Sequence, residues 1–367
     1  MLLLFWDEPC SIKDVIKEGK TMDNSIKVTK ETKNKIRVEF ERTPLKERLK
    51  AKFGTSYFYL NVLWYAFRLV LLIGIAYVVI YPFISKIASS FMSQSDFVDS
   101  TVRLIPKNFT LDIYKAIFVE LKYMEAFVNT FLLSIICALL QTFSCLLIAY
   151  GFAKFKFKGN GLVFVLVMLT MIVPHQTLKL SMLLHFKNFD IFGIMGGLSK
   201  LGVLPASFAD GIKLTNTFWP LVILSIGGIA FKNGLYIFML RQFFRGVPDE
   251  LEESAYVDGS GVYRTFLQII IPLSIPMMIT VFLFAFSWQW TDNFYTVLFF
   301  PGREVRLWPH LTFQIPPSLK TDYAGASLLN TAIYNTTGMM IIAPLIVMYL
   351  FCQKFLVQGI ERSGIVG

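Results

Sequence analysis

The sequence predicts an all-α, polytopic membrane protein with about six transmembrane helices, and three observations carry that prediction. First, the chain is 55% hydrophobic and only 16% charged, with a mean hydropathy of +0.57, whereas a soluble domain carries roughly 25% charged residues. So much apolar surface exceeds what a core can hide, and the surplus must face lipid. Second, about six apolar windows are long enough to cross roughly 30 Å of hydrocarbon at 1.5 Å per residue. Third, none alternates with the period of two that marks a barrel strand. Backbone groups cannot go unpaired in lipid, so each window reads as a helix.

The elements follow in order. Residues 1–60 form a basic region in which Met1 to Phe5 are apolar but give way at once to Asp7 and Glu8, too short a run for a signal peptide. The formal charge of +10 is concentrated between Lys13 and Lys52 with acids interleaved, a pattern of a cytoplasmic, membrane-adjacent segment rather than a nucleic-acid groove. This region has no sustained apolar period, and it is expected to be mobile or lightly helical. The first helix occupies 61–92 around an apolar window at 65–87, with Arg68 extending its head back to the interface. An outer connection, 93–125, balances its lysines and arginine against Asp96, Asp99, Asp112, Glu120 and Glu125.

Residues 126–367 form the core, with windows at 126–152, 161–184, 218–240, 266–286 and 338–355. Lys154, Lys156 and Lys158 follow the first of these, and Arg241 and Arg245 follow the third, so those connections face the cytoplasm together with both termini. The four cysteines, Cys10, Cys137, Cys145 and Cys352, have neither disulfide nor zinc spacing. His175, His185 and His310 lie on separate segments with no acidic or thiol neighbour in sequence, and they read as interfacial polar residues rather than catalysts. No phosphate loop is present, and nothing marks a cofactor or metal site in this chain.

The connection at 241–265 is the most informative stretch. Pro248 suits a first helical position, and Asp249, Glu250, Glu252 and Glu253 crowd the positive end of the helix dipole. Gly259 supplies the stop. Leu251, Ala255 and Gly259 are spaced to share a face, so the helix has the shape of a plug for a groove on a cytosolic partner. An ordinary acidic surface helix linking two spans accounts for the same pattern.

Within this stretch, Glu253-Ser254-Ala255, then Gly259 after three residues, then Ile269, Ile271 and Pro272 after nine more, resemble the EAA signature of ABC importer permeases. Ser254 and Ile271 depart from its usual alanine and leucine. Asn129-Thr130, the run AYGFAKFKFKG from Ala149 to Gly159, Pro174, and QKFLVQG from Gln353 to Gly359 extend the resemblance to the maltose-type, binding-protein-dependent carbohydrate permeases, from about Ile105 to the end. The long basic N-terminus exceeds what that family usually carries. The resemblance implies the type I ABC importer permease fold and a coupling helix seated in a cleft of a separate ATPase. Glu253 would be its charged contact, Ala255 its close-packed contact and Gly259 its turn, with Glu252, Ser254 and Asp258 beside them. It also implies a second, related permease chain, two ATP-binding subunits that hold ATP and Mg, and an extracellular sugar-binding protein.

Ionisable residues at membrane depth usually face a cavity, which makes Lys179, Lys232 and Asn233 candidates for a translocation path; snorkelling or an interhelical ion pair is the alternative for each. Trp288 and Asp292 are one turn apart, as are Gln289 and Asn293. Rings beside amide and carboxylate groups suit a pyranose, while Trp290 and Tyr295 taken singly suit an interfacial aromatic belt. Residues 301–336, rich in proline, read as an ordered extracellular loop that in similar importers meets the binding protein. The EAA loop is shared by importers of other solutes such as polyamines or peptides. A polytopic membrane enzyme or sensor would need a catalytic constellation at one membrane face, which the sequence does not offer.

Overall fold

The computed structural model describes Val28–Thr29, Arg37–Val38, Phe53 and residues 56–364, apart from 192, 204, 206–209, 231, 303 and 323–324. The reading of residues 1–52 as a mobile or lightly helical basic segment lies outside the described residues, except that Val28–Thr29 (β1) and Arg37–Val38 (β2) pair as antiparallel strands. The chain divides into two units, Met1–Ile80 and Tyr81–Gly367. A 35-residue helix, α1 (Ser56–Ser90), crosses the boundary between them. Residues 62–84 of α1 are exposed throughout, as a lipid-facing helix requires.

The second unit is built around α3 (Tyr123–Lys154), which is preceded by the short α2 (Asp112–Glu120). After α3 come α4 (Asn160–Ile172), a 3-10 turn at His175–Leu178, α5 (Lys179–Lys187), α6 (Ile194–Lys200), α7 (Trp219–Ile226), α8 (Asn233–Arg245) and α9 (Glu250–Val257). The chain then runs through α10 (Val262–Thr265) and a π turn at Phe266–Ile270 into α11 (Ile271–Trp290). It ends with α12 (Tyr295–Phe299), α13 (Trp308–Leu311) and the long α14 (Ala326–Gly364).

Helix α3 packs against α7, α8 and α11, and α11 packs in turn on α14. One face of α3 carries Ser134, Ala138, Thr142, Cys145 and Ala149, all buried. Lipid supplies no hydrophobic drive for helix pairing, so small side chains that let backbones approach closely are what such an interface needs. Near the N-terminal end of α3, Phe127, Phe131, Phe286, Trp290 and Trp308 form a cluster of edge-to-face and stacked rings, with Phe127 and Trp290 edge to face at 5.7 Å between centres. The indole of Trp290 donates to the carbonyl of Ile341 at 2.9 Å. Trp290 and Tyr295 are 1% and 2% exposed, so both are core residues and the belt reading is corrected for each.

The helical membrane fold holds, while two of the six windows prove to be broken. Among the described residues, four helices are long and apolar enough to cross a membrane, or five if a pair bent by 90° counts as one span. That pair replaces the window at 161–184. Pro174 has no amide hydrogen and pushes Val173 into an extended conformation (ψ 119°), so the helix cannot continue through it. The window at 218–240 is broken as well. It ends α7 at Gly227, passes through Gly228 (φ +68°) and Lys232 (φ +67°), and restarts as α8. At the entrance to α11 the Ile271 amide bonds to the carbonyl of Phe266, an i→i−5 turn whose extra residue relieves the crowding ahead of Pro272. The final helix starts at Ala326, inside the stretch expected to be loop to 336.

Candidate functional site

Helix α9 follows α8 in the chain and is joined through α10 to α11. It begins at Glu250 after Asp249, so Pro248 precedes the helix instead of opening it, and the Asp249 carbonyl accepts from the amides of Glu252 and Glu253 at 3.0 Å each. Gly259 stops it at φ +81°, and the Ser260 amide reaches back to the Ala255 carbonyl at 2.9 Å. A Cβ at Gly259 would meet nothing within 4 Å, so the left-handed backbone and not lack of room selects glycine there.

The helix has two faces. Leu251, Glu253, Ser254, Val257 and Asp258 are exposed, while Glu252 and Ala255 are 8% and 6% exposed and turn into the protein. Ala255 therefore does not share an outward face with Leu251 and Gly259. The inward face meets the C-terminal end of α3. Tyr150 donates its hydroxyl to Glu252 Oε2 at 3.1 Å. The ammonium of Lys154 donates to the Val247 carbonyl at 2.7 Å and to Asp249 Oδ1 at 2.5 Å, and it lies 3.5 Å from Glu252 Oε1. Its proximity holds the exposed Asp249 carboxyl below the usual carboxylate range. Phe244 and Phe266 wall the Tyr150 ring, with centres 5.6 and 4.7 Å away. Sequence reasoning used Lys154 only for sidedness and missed this contact. The i, i+4 spacing of Tyr150 and Lys154 was the available signal.

The path candidates separate into two cavities. Lys232 and Asn233 line one of about 600 Å³ between the two broken segments, with His175, Met171, Phe186 and Gly234. Trp288, Asp292 and Asn293 line the other, of about 220 Å³, with Gln141, Gln289 and Tyr295. A bridge joins them: the Lys232 ammonium sits 5.0 Å from the Trp288 ring centre, and the Tyr295 hydroxyl is 2.8 Å from His175 Nδ1. Lys179 is exposed at the start of α5 and lines neither cavity. Asp292 caps α12, accepting from the Thr296 amide and hydroxyl at 2.7 and 2.9 Å and from the amides of Phe294 and Tyr295 at 3.2 Å. At the N-terminal end of α3, Asn129 donates to the Arg306 carbonyl at 3.1 Å and Thr130 accepts from the Trp308 amide at 3.1 Å, which ties the 301–312 loop to α3.

Comparison with known proteins agrees with this layout. The chain is 26% identical over 304 residues to the galactooligosaccharides transport system permease protein GanQ of Bacillus subtilis, covering 82% of this chain and 95% of that one. It is 27% identical over 295 residues to the maltodextrin transport system permease protein MalD of Streptococcus pneumoniae, covering 80% and 92%. Its fold matches a solved bacterial ABC transporter involved in the import of the acidic polysaccharide alginate, with a TM-score of 0.57 at 20% identity over 85% of this chain and 99% of that one. The family model described as "Binding-protein-dependent transport system inner membrane component" matches residues 145–362, a stretch that contains α9 and every residue named at the two cavities except Gln141, and the chain belongs to that family.

Proposed function

We propose that this chain is the membrane-spanning permease subunit of an ATP-driven ABC importer that carries an oligosaccharide delivered by an extracellular sugar-binding protein. The observation that carries the reading is α9, a capped acidic helix between two core helices, with one face fastened to α3 and the other, with Leu251, Glu253 and Val257, exposed. The exposed face docks in a cleft of one of two ATP-binding subunits, which hold the ATP and Mg. A second permease chain completes the membrane channel. Both termini and α9 lie in the cytoplasm. The coupling set is Glu252, Glu253, Ser254, Ala255, Asp258 and Gly259, with Glu253 outermost and Glu252 and Ala255 acting from within.

The relatives' names, galactooligosaccharides and maltodextrin, support a neutral oligosaccharide over a polyamine or peptide. So does the second cavity, where the exposed Trp288 ring and the Asn293 amide offer a stacking face and a hydrogen-bonding group for a sugar. The test is to co-purify the complex, reconstitute it with its binding protein, and measure ATP hydrolysis with maltodextrins, galactooligosaccharides, arabinooligosaccharides, spermidine and a peptide mixture. An oligosaccharide should stimulate hydrolysis, and Glu253→Lys should abolish that response; stimulation by spermidine or peptide alone would overturn the sugar assignment.

A further inference from the structure

We propose that Lys154 is a positioning residue that makes the coupling helix and the end of α3 move as one body. The inference rests on the reading of α9 as the ATPase-docking helix and adds the part that passes its motion on. Of the three lysines after Tyr150, Lys156 and Lys158 are exposed, whereas the Lys154 side chain is only 8% exposed. Its two acceptors, Val247 O and Asp249 Oδ1, lie on the approach and the cap of α9, and Glu252 Oε1 on the first turn pairs with it as an ion at 3.5 Å. Tyr150, one turn earlier on α3, holds the second oxygen of Glu252.

Without this clamp, the covalent links at the two ends of α9 pass through Gly246 and through Gly259 and Gly261, where backbone rotation can absorb a displacement. The clamp bypasses both. The Glu252 side chain is 10% exposed, so the pair with Lys154 is poorly screened by salt, and removal of Lys154 leaves the Glu252 carboxylate without its counter-charge in a nearly buried site. Helix α3 runs unbroken from this clamp to the outer end, where Asn129 and Thr130 hold the 306–308 backbone. A pull on α9 is therefore delivered along α3 to the outer loop. Because the docking face and the clamped face are opposite sides of one helix, the two roles separate by mutation.

The experiment uses the whole complex in nanodiscs, with Cys10 and Cys352 replaced by serine and the exposed Asn293 replaced by cysteine as a reporter. Maleimide labelling of that cysteine is compared with and without ATP plus vanadate, normalised to the amount of assembled complex. Lys154→Met should keep the ATP-binding subunits bound yet shrink the nucleotide-driven change in labelling roughly tenfold or more, as expected when one partner of a buried pair is removed. Lys154→Arg should restore most of it, and Lys158→Met should leave it intact. A purely structural role would lower the yield or melting temperature without altering the response per assembled complex. A full response in assembled Lys154→Met overturns the proposal. If that variant does not assemble, Tyr150→Phe decides, with about a tenfold loss expected from removing one hydrogen bond to a charged group and an unchanged response overturning the idea. Glu253→Lys keeps the two readings apart: if it retains both ATPase subunits and the full response, the docking role of α9 fails whatever Lys154 does.

Discussion

Asp292 commits both carboxylate oxygens to its own backbone, Oδ1 to the amides of Phe294 and Tyr295 and Oδ2 to the amide and hydroxyl of Thr296. Such a cap is worth about 1–2 kcal/mol when truncated to alanine. Asp292→Ala should therefore lower the melting temperature of the purified complex, and Asp292→Asn, which keeps one acceptor oxygen, should recover part of the loss. If Asp292 instead binds sugar through its charge, both variants will lose sugar-stimulated ATP hydrolysis alike while melting as the parent does. The residue was legible in the sequence as a polar group at the end of a span, but its role was not, because the amides it accepts from acquire their direction only once α12 forms. Lys154 shows the same limit: its charge was visible, while its inward turn depends on where Glu252 and Val247 are brought by the chain a hundred residues on.

At the scale of the element, the contact between α4 and α8 turns on one glycine. A Cβ added at Gly234 would lie 2.7 Å from Met171 Cγ, 3.0 Å from Thr170 Oγ1 and 3.1 Å from the Val167 carbonyl. The methionine can shift, but the carbonyl belongs to the backbone of α4 and cannot. Gly234→Ala should therefore destabilise the complex by about 1–3 kcal/mol through overpacking, although alanine is the better helix former; thermal melting of the purified assembly measures it. The same junction explains where element prediction failed. Apolar windows at 161–184 and 218–240 read as uninterrupted helices because hydropathy does not register backbone geometry, yet Pro174 and Gly228 break them. Pro174 was noticed in the sequence without its consequence, a 90° bend that opens the larger cavity beside α8.

For the whole molecule, charge asymmetry makes a sidedness prediction. Ser95 on the outer connection and Lys158 after α3 are both exposed, and the lysine-rich side should be cytoplasmic. In cells lacking Cys10 and Cys352, a membrane-impermeant maleimide should label Ser95→Cys from outside and Lys158→Cys only in inverted vesicles; the opposite result would place α9 on the wrong face for ATP-driven work. By itself the sequence determined that this is a helical membrane protein, where the short acidic helix α9 lies and which family it joins, because hydropathy, charge and motif spacing are properties of consecutive residues. Only the tertiary structure decided how many helices run unbroken, which face of α9 is fastened to α3, and which polar residues share a cavity. Those outcomes depend on backbone geometry at Pro174 and Gly228 and on contacts between residues distant in the chain, 93 positions from Lys154 to Val247 and 120 from His175 to Tyr295, and no local pattern encodes a distance across the fold.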